Sequence, residues 1–103
     1  MKAKTNLTML CDFYELTMAN GYFQTGLKDR ICYFDVFYRS VPDKGGFSLA
    51  AGLAQVVEYI QELNFDQEDL DYLRSKGCFS EAFLDFLRTF RFTGDIWAVP
   101  EGT

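Results

Sequence analysis

Asp12, Tyr14 and Arg39 are the residues whose type and position could serve a ligand. Tyr14 falls in the first turn of a predicted helix. Its ring could be a flat stacking surface for a planar molecule. In a chain with 11 Phe, 6 Tyr and 1 Trp, the plainer reading is one more core ring. Asp12 could bond a ligand, although a helix-capping role already explains it. Arg39 ends a predicted strand just before a glycine-containing loop. A guanidinium there suits a phosphate or carboxylate bidentately; the plainer reading is an exposed strand-end charge. Lys44-Gly45-Gly46 could bring backbone amides near an anion, but a simple turn accounts for it. The nucleotide loop G-x-x-x-x-G-K-[ST] is missing. The acidic run Asp66 to Asp71 reads as a cap and a solvated face. No pair of carboxylates stands out for glycoside chemistry, and no residue is assigned as catalytic.

The absences narrow the chemistry further. The 103 residues include no histidine. That excludes a Ser-His-Asp or Cys-His arrangement, imidazole metal sites and an imidazole acid or base within this chain. Cys11, Cys32 and Cys78 are widely spaced and form no C-x-x-C pair, so no thiolate metal site is expected. They read as reduced, partly buried thiols of a cytoplasmic protein. The formal net charge is −5, with no basic stretch. A nucleic acid or an anionic membrane surface is a poor partner for such a chain. No apolar run approaches the roughly 20 residues of a membrane span. The N-terminus is too short in apolar residues for a signal segment. Asn6-Leu7-Thr8 matches the glycosylation tripeptide, an accidental match without a secretory signal.

Four helices and two or three strands must position these residues. Asp12 and Glu15 have the spacing of an N-cap and its reciprocal acidic partner. The spacing predicts a helix from Phe13 to Gln24, with Gly26 at C′. Phe13, Leu16, Asn20 and Phe23 share one face. Tyr14, Thr17, Met18 and Gly21 fall on an adjacent face that is polar and small enough to be approached closely. Residues 30–40 alternate as a strand, with Cys32, Phe34, Val36, Tyr38 and Ser40 toward the core. Residues 41–46 form a loop and 47–49 a short returning strand. Gly52 opens a helix to about Leu63. Asp66 and Asp69 cap a third helix closed by Gly77, and Ser80 caps a fourth that Phe79 can staple. Residues 91–99 read as a last strand, with Gly94-Asp95 as a break, followed by a turn at 100–103. The class is α+β. One domain, 1–103, is all that this length and a 49% hydrophobic content provide. The thin sheet and the closing strand-turn suggest the front piece of something larger.

Thr8 to Tyr22 closely resembles the amino-terminal segment of nicotinate phosphoribosyltransferases. The family pattern, L-x-x-D-x-Y-x-x-T-M-x-x-G-Y, fits at Asp12, Tyr14, Thr17, Met18, Gly21 and Tyr22. Leu10 stands one residue closer to the aspartate than that spelling. Phe34 to Pro42 resembles the family's F-x-x-F-x-R-x-x-P strand, Gly46 to Leu53 its F-x-[LI]-A-A-G-L stretch, and Ile96 to Thr103 its segment ending P-E-G. The resemblance implies the N-terminal sheet-and-helix domain of a type II phosphoribosyltransferase, lacking the α/β barrel that follows in the family. It implies an enzyme that condenses nicotinate with phosphoribosyl pyrophosphate, with Mg²⁺ and coupled ATP hydrolysis, to give nicotinate mononucleotide for NAD synthesis. It also implies a head-to-tail homodimer whose site is shared between subunits. By resemblance, Tyr14 stacks on the pyridine ring, Asp12 sits beside it, and Arg39 lies near the phosphates. The histidine that ATP phosphorylates in the family has no counterpart here. This piece alone is therefore expected to be inactive and to bind neither ATP nor Mg²⁺.

Two other readings compete. A nicotinamide- or quinolinate-specific relative would share the architecture, although Thr17-Met18 and Ala50-Ala51-Gly52 favour the nicotinate branch. A free-standing interaction domain could instead dimerise through an aromatic face. A large exposed apolar patch would favour a missing partner or barrel.

Overall fold

The computed structural model describes residues 6–103. Four helices form where the sequence supplies caps and stops: α1 Phe13–Gln24, α2 Leu53–Gln61, α3 Gln67–Ser75 and α4 Glu81–Arg88. α1 ends as its glycine predicts. Gly26 takes φ 80°, the Gly26 N–H donates to the Phe23 carbonyl (3.3 Å), and the Leu27 N–H donates to Tyr22 (2.9 Å). That pair of bonds is the Schellman motif, and it satisfies two carbonyls the helix leaves open. α3 starts on the expected capping box, with the Asp66 carboxylate accepting from the Asp69 N–H at 2.9 Å and the Asp69 carboxylate accepting in return. The Ser80 hydroxyl caps α4 by accepting from the Phe83 N–H at 3.1 Å.

The core lies between α1, α3 and α4. Leu16, Phe65, Leu70, Leu73, Phe83, Leu84 and Leu87 are buried there. α4 packs on both α3 and α1. Rings extend the contact: Phe23 meets Phe83 at 5.7 Å and Phe86 at 5.1 Å, and Phe79 stacks on Phe83 at 6.0 Å. Full burial of one leucine contributes about 1.5–3 kcal/mol; Leu70, Leu73 and Leu84 reach that limit. Buried Asn20 ties α1 to the turn before α4. Its Nδ2 donates to the Cys78 carbonyl (3.4 Å), and its Oδ1 accepts from the Ser80 N–H (3.3 Å). Buried Thr8 is committed too: its hydroxyl accepts from the Asn64 N–H at 2.8 Å, while Asn6 donates to the Asn64 carbonyl at 2.9 Å. The glycosylation tripeptide is thus a structural tie between the start of the chain and the α2–α3 connection.

The α+β expectation is wrong. Among the described residues there is no strand, and the fold is helical. Residues 30–40, 47–49 and 91–99 alternate as strands would but find no ladder to join. The side chains assigned to the core are in the open: Phe34 is 90% exposed and Val36 97%. Alternation determines which face of a strand is apolar; it does not supply the neighbour whose N–H and C=O groups complete it. Among the described residues, reciprocal pairing outside the helices occurs only where Ala50 meets the turn at 102–103, with Ala50 N–H to Thr103 O at 2.8 Å and Gly102 N–H to Ala50 O at 2.7 Å. The radius of gyration, 16.4 Å, exceeds the roughly 13 Å of a compact chain this long. The cysteines are free thiols as expected, but the partial burial expected of them is not seen. Cys11, Cys32 and Cys78 are all exposed, because each lies outside the packed faces of the helices.

Candidate functional site

The start of α1 carries two of the three candidate residues. Asp12 takes the N-cap position with extended backbone (φ −74°, ψ 146°), and its carbonyl accepts from the Glu15 N–H at 3.1 Å. Its side chain makes no capping bond, so the expected capping box is absent. The carboxylate is left facing solvent rather than spent on the helix. Tyr14 follows within the first turn. The opposite face of α1 is fixed by burial of Leu16 and Asn20 and by the edge-to-face contact of Phe13 with Phe79 at 5.7 Å. Helical geometry then turns Tyr14 outward, and it is 60% exposed. It is not a core ring. Met18 and Tyr22, one and two turns further on, continue the same exposed row.

Arg39 is exposed on the irregular segment that precedes the short 3₁₀ turn Pro42–Lys44. The structure therefore brings Asp12 and Tyr14 together and leaves Arg39 on a separate segment. Asp43 and Lys44 both adopt left-handed backbone (φ 57° and 56°), which side-chain-bearing residues seldom do. The Gly45 N–H is used inside the turn, donating to the Pro42 carbonyl at 3.0 Å. That favours the simple-turn reading of Lys44-Gly45-Gly46 over an anion cradle.

Two neighbours escaped the sequence reading. Tyr59 of α2 is close enough to feel the charges of Cys11 and Glu15 at the start of α1. Partial covering of the Tyr59 phenol, and then the charges of Cys11 and Glu15, raise it above its ordinary value of 10.0. Partial covering likewise raises the Cys11 thiol above 9.0, aided by Glu15 and Asp12. Both groups hold their protons at neutral pH, so Cys11 is a poor nucleophile. The second neighbour is Glu101. Its carboxylate accepts from the Gly52 N–H (3.0 and 3.1 Å) and the Leu53 N–H (3.3 Å), capping α2 from far along the chain. A readable signal existed. A helix begun by glycine has no side-chain acceptor of its own and needs one from elsewhere.

The arrangement suits binding rather than bond-making. It offers a planar ring, a free carboxylate and a separate guanidinium. Among the described residues no group of three or more acidic, thiol or imidazole side chains gathers to hold a metal ion.

Comparison with known proteins agrees with the motif reading. The family model for the nicotinate phosphoribosyltransferase N-terminal domain matches residues 9–103. A nicotinate phosphoribosyltransferase of Mycobacterium tuberculosis is 45% identical over 95 residues, covering 92% of this chain and 20% of that protein. The Bacillus subtilis enzyme of that name is 32% identical over 97 residues, covering 94% and 20%. The Bos taurus one is 34% identical over 98, covering 92% and 18%. The chain thus spans about a fifth of the length of these relatives. No solved structure gives a significant match. With Asp12, Tyr14 and Arg39 all inside the matched residues, the chain belongs to the nicotinate phosphoribosyltransferase family, as its N-terminal domain.

Proposed function

We propose that this domain supplies one wall of the site in a full-length enzyme that joins nicotinate to phosphoribosyl pyrophosphate. The products are nicotinate mononucleotide, a precursor for NAD synthesis, and pyrophosphate. The observation that carries the reading is the exposure of Tyr14 on a helix whose other face is anchored in the core. A buried ring could not reach a substrate. An outward ring two residues from an exposed carboxylate can hold a flat pyridine while positive charge develops at the sugar carbon. Arg39 donates to phosphate oxygens and steadies the leaving pyrophosphate. A histidine for ATP to phosphorylate would have to come from outside these 103 residues, which contain none.

The uncovered apolar residues support a larger whole. Ile31, Tyr33, Phe34, Val36 and Trp97 are each more than four-fifths exposed. Residues of that size left in water mark a surface that other polypeptide covers. A homodimer sharing its sites would cover part of it, and the remainder of the enzyme another part. No helix among the described residues is long and apolar enough to cross a membrane. The acidic balance supports an enzyme acting on small molecules rather than on nucleic acid, and a cytoplasmic place follows from the proposed activity in NAD synthesis.

The test offers the full-length protein nicotinate, nicotinamide and quinolinate in turn, each with phosphoribosyl pyrophosphate. Chromatography should show nicotinate mononucleotide as the main product. Turnover of nicotinamide or quinolinate alone would overturn the substrate assignment. No turnover of any would overturn the enzyme reading.

A further inference from the structure

We infer that Glu101 is a positioning residue, the clasp that fixes the turn Ala50–Leu53 in front of α2. Four observations carry it. Gly52, the N-cap of α2, has left-handed backbone (φ 105°) and no side chain with which to cap. The Glu101 carboxylate replaces the missing cap from 49 residues away, accepting from both Gly52 and Leu53. Next to that contact, Ala50 exchanges two backbone hydrogen bonds with Gly102 and Thr103. Finally, among the described residues no other helix packs along α2 and none of its residues is fully buried, so the bonds at its first turn carry more of its anchoring than they would in a core helix.

A carboxylate on the free N–H groups of a helix start is doubly favoured, by hydrogen bonding and by the helix dipole. The geometry of the turn adds a constraint on residue type. Gly52 sits where side-chain-bearing residues are strained, so the chain gives up a local cap there and recovers one through Glu101. The turn is the anchored end of residues 39–50, which carry Arg39. Releasing it loosens the segment on which the proposed phosphate contact depends. That consequence rests on the functional reading above; the clasp itself does not.

The experiment uses the full-length protein with Glu101→Ala and Glu101→Gln. Hydrogen exchange of the peptide covering 50–55 is measured beside the KM for each substrate. Glu101→Ala should exchange roughly five-fold faster there, the ordinary worth of an N-cap. Glu101→Gln keeps one acceptor oxygen and should recover part of the protection. The KM for phosphoribosyl pyrophosphate should rise several-fold while that for nicotinate moves little. Unchanged exchange in Glu101→Ala would overturn the clasp. Faster exchange with both constants unchanged would overturn the positioning role. An Arg39→Ala control separates the two readings. If it too leaves the phosphoribosyl pyrophosphate constant unchanged, the functional assignment of that segment fails, and the exchange result judges Glu101 by itself.

Discussion

Replacing Tyr14 by alanine should damage activity far more than stability. Tyr14 is 60% exposed, so only about two-fifths of its surface is covered. A fully buried tyrosine hides about 200 Å². The fraction lost is then about 80 Å², or about 2 kcal/mol at 25 cal/mol/Å². Alanine's better helix propensity returns about 0.5 kcal/mol, and a compact unfolded chain lowers the area loss further. A destabilisation of about 1 kcal/mol remains, a shift that most domains survive. Stacking of a heteroaromatic ring on an aromatic side chain is worth about 1–3 kcal/mol. Loss of the ring should therefore lower kcat/KM for nicotinate roughly 5- to 150-fold. Steady-state assays of the full-length enzyme, with a melting curve beside them, read both quantities. Tyr14→Phe keeps the ring and should stay close to wild type. A Tyr14→Ala enzyme with near-normal nicotinate kinetics would refute the stacking role. Equal damage from Tyr14→Phe would move the role from the ring to the hydroxyl.

Arg39→Ala should raise the KM for phosphoribosyl pyrophosphate and spare that for nicotinate; an unchanged phosphoribosyl pyrophosphate constant would argue against a phosphate contact. Leu84→Ala, at a site with no exposure, should cost about 2–5 kcal/mol in denaturant unfolding, and a loss under 1 kcal/mol would mean that the α1–α3–α4 core is misplaced. Cys11 should be alkylated more slowly at pH 8 than a free cysteine, since its thiol is held above 9.0; mass spectrometry finding equal rates would contradict the charge environment drawn at the start of α1. The Glu81 carboxyl is held below its usual 4.5, first by its hydrogen bond from Arg74. Its folded value is depressed, so its contribution is present above about 4.5 and fades as pH falls through the lower folded value. Glu81→Gln should flatten that part of the acid-unfolding curve, and an unaltered curve would show the pair contributes nothing.

The helices were legible because their signals are local. Gly26, Gly77, Ser80 and the Asp66/Asp69 pair each act within one turn, and each does what its spacing implies. Leu16, Asn20 and Phe23 were placed correctly on the inner face of α1 by period alone. The strands misled because pairing is a long-range property. Phe34 and Val36 sit in an alternating run, yet nothing in that run names a neighbour. Asp12 shows a finer limit. Its spacing to Glu15 matches a capping box, but the side chain leaves the helix uncapped. The exposure of Tyr14 followed from helical phase once Leu16 was known to be buried. Tyr59 beside Cys11 and Glu101 beneath α2 join residues nearly fifty apart, a distance at which local patterns carry no information.

The central claim is that these residues form one wall of a site completed by the rest of the enzyme. Its most direct test is pyrophosphate release from nicotinate and phosphoribosyl pyrophosphate, measured on three proteins: the full-length chain, residues 1–103 alone, and the remainder without them. Turnover by the full-length chain only, and by neither piece, is the predicted result. Either piece turning over at the full-length rate would contradict it.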